Sequence, residues 1–190
     1  MTHSSPAPRQ PGPPAAPAPE QAPAAADFPP REIGAFLRFC AGEWMGLRSR
    51  FELGEATAMA EGDEWHSSER GELVVGYLEP GAGGTGADSP GGLNVGAMGE
   101  PPSRLLFAAE GSFTVHGGQG ARQGSWLLWP DGSLELTLSN GDSEVRERIW
   151  FTKPNLRLRS SVENHADGRP GRASFSSEIR RVSRPAAPAS

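Results

Sequence analysis

Two arginines and a serine alternate along one short segment, and their side chains suit the binding of an acidic group. Arg157, Arg159 and Ser161 lie at every second position, so in an extended strand they share one face. A guanidinium pairs with a carboxylate or a phosphate through two parallel hydrogen bonds. Two interpretations are open at this point: the face binds an acidic ligand or partner, or it is a solvated strand face.

The segment belongs to a predicted β-hairpin over residues 144–162, with a tight Pro-Asn turn at 153–156. On the first strand of this hairpin, Glu147, Ile149 and Phe151 share one face, and Trp150 lies on the other. Charges that face the interior of a barrel cost several kcal/mol each unless they are paired. The face that points inward therefore decides what the hairpin does.

Composition excludes several classes of function. The chain of 190 residues has one cysteine, Cys40, and four widely separated histidines, so we expect neither a disulfide nor a metal site. The net charge of −5 argues against nucleic-acid binding. Because no apolar run is long enough to span a bilayer, no membrane insertion is expected. Residues 144–190 nevertheless carry ten Lys/Arg and five Asp/Glu, so this part of the chain is basic.

The chain is predicted to form one domain between two tails. Residues 1–30 hold ten of the nineteen prolines, mostly separated by alanine. Such a segment buries little apolar surface, and we expect it to be disordered. A second Pro/Ala tail is predicted at residues 183–190. The folded domain is therefore expected to span residues 31–182.

The domain is predicted to begin with a short helix over residues 31–40. Its apolar stripe consists of Ile33, Phe36, Leu37 and Cys40. We therefore interpret Cys40 as a small core residue rather than a catalytic thiol. The helix is followed by Gly-x-Trp at residues 42–44, an arrangement that resembles the opening of lipocalin-type barrels.

The rest of the domain is predicted to consist of antiparallel strands. Strong turns at Asp131-Gly132 and Asn140-Gly141 separate some of them, and the glycine-rich stretch 79–103 is interpreted as a loop or a degenerate strand. The predicted strands outside the hairpin cover residues 43–53, 72–78, 104–115, 123–129, 133–139 and 172–182. We expect an all-β fold, an antiparallel up-and-down lipocalin-like barrel of about 8–10 strands with a short N-terminal helix and a ligand-sized interior.

Three segments of the chain resemble one family. GEWMGLRS at 42–49, ERIWFTKPNLRLRSSV at 147–162 and ASFSSEIRR at 173–181 are similar to the S-type phycobiliprotein lyases, the CpcS/CpeS family. The resemblance implies a cytoplasmic barrel of cyanobacteria or of plastids in related algae. It also implies a substrate, phycocyanobilin or phycoerythrobilin, that is attached through a thioether to a cysteine of a phycobiliprotein alpha or beta subunit. No further cofactor is expected.

The resemblance also implies roles for individual residues. Arginine would pair with the bilin propionates, and a glutamate would accept hydrogen bonds from the pyrrole nitrogens and shift protons on the tetrapyrrole. Catalytic roles are implied for Glu147 and Arg157. Bilin-binding roles are implied for Arg159, Ser161, Arg48, Trp44 and Glu178. The first-strand pair Trp44 and Arg48 could equally serve barrel-floor packing, and Glu178 could simply pair with Arg157 or Arg159.

Two alternatives to an independently active lyase stay open. One is a non-catalytic lipocalin-like protein that carries a bilin or another acidic ligand. The other is one subunit of a heteromeric lyase. The sequence likewise leaves open a homodimer or a heterodimer with a related lyase subunit.

Overall fold

Ten antiparallel strands close into one barrel in the computed structural model, which describes residues 28–53, 66–84, 86–118, 120–169 and 171–181. Each strand pairs with the next along the chain, and β1 also pairs with β10. The predicted all-β up-and-down barrel is thus confirmed. The strands are β1 (Gly42–Glu52), β2 (His66–Leu78), β3 (Gly91–Ala97), β4 (Ser103–Phe107), β5 (Ser112–Gly117), β6 (Gly120–Leu128), β7 (Leu134–Asn140), β8 (Ser143–Lys153), β9 (Leu156–His165) and β10 (Arg172–Arg180).

One helix, α1 (Ile33–Cys40), closes one end of the barrel. The apolar stripe of α1 is buried as predicted, with Phe36, Leu37 and Cys40 in the core. Aromatic contacts join α1 to the end of β8, where the Phe151 ring lies 5.3 Å from the Phe36 ring and 4.7 Å from the Phe39 ring. This end of the barrel is therefore a packed floor, formed by α1 and the strand ends around it.

Trp44 and Arg180 fasten α1 to the barrel. The Trp44 indole donates a hydrogen bond to the Cys40 carbonyl at 2.9 Å, and Arg180 donates to the carbonyls of Phe39, at 2.5 Å, and Ala41. These contacts satisfy carbonyls that the end of a helix leaves without backbone partners. Gly42 makes the arrangement possible, because its φ of 140° suits glycine and an added Cβ would lie 2.9 Å from the Arg180 guanidinium.

The more apolar face of β1 points out of the barrel. Trp44 points into the barrel and is 1% exposed, whereas Met45 and Leu47 point outward and are 45% and 46% exposed. Phe175 and Ile179 of β10 are also exposed on the outside. The inward face of β1 is thus the one that carries tryptophan, glycine and arginine.

Three predicted elements differ from the structure. The strand expected over 104–115 is wrong, because the chain turns between Phe107 and Ser112 and forms β4 and β5, with Gly111 at a φ of 94°. The stretch 79–103, interpreted as a loop or degenerate strand, contains the regular strand β3. The strand expected at 72–78 begins earlier, at His66.

A glycine turn explains the first difference, and close packing of neighbouring strands explains the second. The apolar run of residues 104–115 concealed a turn that depends on a single glycine, and β3 is rich in glycine because its neighbours leave no room for side chains. An added Cβ at Gly91 would lie 2.6 Å from the Tyr77 hydroxyl and 2.5 Å from the Leu78 carbonyl. Composition alone therefore predicted neither this turn nor strand β3.

The predicted tails at 1–30 and 183–190 lie almost entirely outside the described residues, so their disorder stays a prediction. Among the residues that the structure does describe, there is no helix with the length and apolar character needed to cross a bilayer.

Candidate functional site

The barrel encloses a cavity of about 260 Å³ above the α1 floor. One part of its wall, formed by β2 to β7, is apolar. The other part, formed by β8 and β9, carries charged groups. Representative apolar lining residues are Val75, Leu93, Leu105, Phe107, Val115 and Leu136.

The inner face of the β8–β9 hairpin supplies the charged part of the wall. Register pairs Glu147 with Ser161, Ile149 with Arg159 and Phe151 with Arg157, so these residues share the side that faces the cavity. Ile149, Phe151 and Arg157 are buried, and Arg157 is only 3% exposed. The face that bears the alternating arginines is thus the inward one.

A network of four side chains lies on this face and on β10. The Arg157 Nε donates to Glu178 Oε2 at 2.6 Å, and the Arg159 Nη1 donates to Glu178 Oε1 at 3.2 Å. Arg159 also contacts Glu147, with its Nη2 2.8 Å from Oε1. Glu178 therefore bridges both arginines, and the four formal charges cancel.

Trp44 contacts two guanidinium groups next to this network. The centre of the Arg157 guanidinium lies 4.3 Å from the Trp44 ring, and that of Arg180 lies 4.4 Å away. These cation–π contacts hold Arg157 in place. Its Nη2 is buried and has no hydrogen-bond partner among the described residues.

Arg48 and Ser161 lie toward the opposite end of the barrel from α1. Arg48 donates from Nε to the Ser176 hydroxyl at 3.3 Å, and the Ser161 and Ser174 hydroxyls are 2.9 Å apart. Among the residues that the structure describes, no carboxylate forms an ion pair with Arg48. All four residues line a small polar recess that Glu147 and Arg159 also border.

Charge and burial set the protonation of this region. Burial disfavours the charge of Arg159, but Glu147 and Glu178 together outweigh that penalty and raise the pKa of its guanidinium. Burial raises the pKa of the Cys40 thiol, although the Arg157 guanidinium beside it favours the thiolate. The arginine therefore stays charged and the thiol stays protonated at neutral pH, as expected of a core cysteine.

All seven residues singled out from the sequence face the barrel interior. Trp44, Arg157, Arg159, Glu147 and Glu178 form one connected group, whereas Arg48 and Ser161 lie in the adjoining recess. Other inward residues were missed, among them Arg122, which falls just before the strand predicted at 123–129. Alternation back from Trp126 and Gly124 would have placed it on the inner face.

Comparisons with known proteins point in one direction. Residues 120–181 match the family model described as CpeS-like protein. The chain is 38% identical over 159 residues to Chromophore lyase CpcS/CpeS 1 of Paulinella chromatophora, a match covering 83% of this chain and 92% of that protein. It is 48% identical over 59 residues to Chromophore lyase CpcS/CpeS 1 of Trichodesmium erythraeum (strain IMS101), covering 31% and 33%.

A solved structure shares the fold. The S-type phycobiliprotein lyase CPES from Guillardia theta superposes with a TM-score of 0.51 at 19% identity. The superposition covers 80% of this chain and 94% of that one. At this identity, the likeness concerns the fold alone.

Proposed function

Since this chain belongs to the CpcS/CpeS chromophore lyase family, we propose that it binds a linear tetrapyrrole in its barrel and transfers it to a phycobiliprotein subunit. The transfer forms a thioether between the bilin and a cysteine of the acceptor. Phycocyanobilin and phycoerythrobilin are the candidate substrates.

The observation that carries the proposal is the division of the cavity wall into an apolar and a charged part. A bilin has the matching division, with an apolar conjugated chain and two propionates. Apolar burial supplies affinity, and a few convergent polar groups set orientation. A cavity of about 260 Å³ suits insertion of part of the bilin, and the remainder is left toward the open end.

The pairing within the network supports one choice of propionate contacts. Arg159 is neutralised by two carboxylates and Arg157 by one, so neither has a full charge to offer. Arg48 has no carboxylate partner among the described residues, which makes it the stronger anchor for one propionate. The free Nη2 of Arg157 adds a hydrogen bond deeper in the cavity.

Glu147 is the group best suited to the pyrrole nitrogens. Both contacts from Arg159 reach its Oε1, which leaves Oε2 to accept from a ligand N–H. Its side chain is 22% exposed at the edge of the cavity. The carboxylate can therefore hold the tetrapyrrole and relay a proton to its conjugated system.

The reaction is an addition. The acceptor sulfur forms a bond to the ring-A ethylidene carbon, and the thiol proton ends on the conjugated system, so nothing leaves. Protonation of that system makes the ethylidene carbon more electrophilic. The acceptor provides the nucleophile, which agrees with a buried and protonated Cys40. Holding the bilin with one end presented to the acceptor supplies much of the rate gain.

Coexpression with a bilin pathway and candidate phycobiliprotein subunits tests the proposal. We expect colour on the acceptor that survives denaturation. Glu147→Gln should lower the rate of attachment by about 100-fold, the scale of one acid–base group. Glu144→Gln is the matched control, because Glu144 lies on the outer face of the same strand, β8.

Two results would contradict the proposal. Colour that stays on this protein and is never transferred would identify a carrier, and transfer only in the presence of a related chain would identify a subunit of a heteromeric lyase. Unchanged attachment by the Glu147→Gln variant would remove Glu147 from the reaction.

A further inference from the structure

Arg122 is a cation on the otherwise apolar part of the barrel interior. It pairs across strands with Val115, which lines the cavity. It shares its face of β6 with Gly124, whose position closely faces the inward ring of Phe113. Arg122 therefore points inward, near the end of the barrel that is opposite α1.

Nothing within the described part of the chain balances this charge. Arg122 forms no ion pair with any described carboxylate, and its Nε is buried without a hydrogen-bond partner. A buried charged donor without a partner costs free energy that a surface arginine does not. A ligand that enters the barrel can supply the missing acceptor.

Arg122 lies on the opposite side of the barrel from Arg48. The strand order runs β1, β10, β9, β8, β7, β6, so β6 is five strands away from β1 in a ring of ten. The two strands are on opposite sides of the barrel. Arg48 and Arg122 are thus two inward arginines on opposite sides of the barrel, and neither forms an ion pair with a described carboxylate.

We propose that Arg122 binds a carboxylate of the ligand, so that a dicarboxylate is held from both sides of the barrel. The inference rests on the proposed function, and assigns the second propionate of the bilin to Arg122 while Arg48 holds the first. Two anchors on opposite sides prevent rotation of the tetrapyrrole about the barrel axis. They therefore select which end of the bilin is presented to the acceptor.

Equilibrium binding of phycocyanobilin and of its dimethyl ester tests the assignment. The ester keeps the conjugated chain but carries no negative charge. For the wild-type protein, we expect the free acid to bind more tightly than the ester. Arg122→Gln should weaken binding of the free acid on the order of tenfold, the scale of one charge-assisted hydrogen bond, and should leave ester binding unchanged.

Two further measurements separate a ligand contact from a structural role. Arg70→Gln is the matched control, because Arg70 is an exposed arginine on the outer face of β2, and it should bind both forms as the wild type does. The melting temperature of ligand-free Arg122→Gln should equal or exceed that of the wild type, since the change removes a cation whose buried Nε has no hydrogen-bond partner among the described residues.

The outcomes are distinguishable. A wild-type protein that binds neither form overturns the proposed function and this inference with it. A wild-type protein that prefers the acid, with an Arg122→Gln variant that binds the acid equally well, overturns only this inference. Equal weakening of acid and ester by Arg122→Gln would also overturn it, because that pattern signals a change in cavity shape.

Discussion

Glu178 is the residue through which the buried charges are joined. Its two oxygens contact different arginines, Oε2 reaching Arg157 and Oε1 reaching Arg159. Glu178 is itself only 5% exposed, so water cannot replace it as a partner. Removal of one member of a buried ion pair is strongly destabilising, because the other charge is left without compensation.

Glu178→Gln should therefore lower the free energy of unfolding by about 3–5 kcal/mol, as measured by urea denaturation. The matched control is Glu69→Gln, which breaks the half-exposed Arg50–Glu69 pair and should cost less than about 1 kcal/mol. Equal losses in the two variants would show that Arg157 finds another partner when Glu178 is neutralised.

At the scale of elements, α1 depends on the barrel for its stability. A helix of eight residues is too short to persist alone in water. Phe36, Leu37 and Cys40 bury its apolar stripe, and Arg180 binds two carbonyls at its C-terminal end. Burial, together with repulsion from Arg157, lowers the pKa of Arg180. The cation is retained there because the carbonyls and the Trp44 ring offset this cost.

Arg180→Met should loosen the floor of the barrel. We expect faster hydrogen exchange of the α1 amides and a loss of about 2–4 kcal/mol in unfolding free energy, the scale of two hydrogen bonds from a charged donor. Arg181→Met serves as the control, because Arg181 lies outside and contacts Glu43 and Glu72. Unchanged exchange of the α1 amides in Arg180→Met would show that apolar packing alone holds the helix.

At the scale of the whole molecule, the barrel separates its interior into an apolar part and a charged part. Strands β2 to β7 contribute mainly aliphatic and aromatic side chains, with Arg122 of β6 as an exception, whereas β8, β9, β10 and β1 contribute most of the charged side chains and serines. A ligand that binds only the native barrel stabilises it by mass action. Ligand binding and global stability are therefore linked through the same cavity.

Val95→Trp should abolish the stabilisation of the barrel by its ligand. Val95 lines the cavity, and the indole ring would occupy the space of the ligand. With phycocyanobilin at 100 times the wild-type Kd, we expect the ligand to add about 2.7 kcal/mol to the unfolding free energy of the wild type and almost nothing to that of Val95→Trp. Val74→Trp, on the outer face, should keep the full gain. A full gain in Val95→Trp would place the ligand elsewhere.

Much of the fold was predictable because it depends on local patterns. The helix stripe, the Asp131-Gly132 and Asn140-Gly141 turns and the alternation of most strands are short-range features. The predictions failed where a single glycine turned the chain near Gly111 and where close packing favoured glycine in β3. The turn depends on one glycine within a segment that otherwise resembles a single strand, and the fit of β3 depends on the strands beside it.

The sequence by itself determined the all-β class, the N-terminal helix, the hairpin with Arg157 and Arg159, and the family. The family follows from the sequence because a motif of 16 residues can be recognised without knowledge of the fold. Only the tertiary structure decided which face of the hairpin points inward, that Glu178 joins both arginines, and that Arg122 lies on the side of the barrel opposite Arg48. The physical reason is that the two faces of a strand are equivalent in the sequence pattern, whereas the choice of face depends on contacts between residues far apart in the chain. Alternation describes both faces of a strand equally, and the choice between them follows from closure of β1 on β10, between residues at least 120 positions apart.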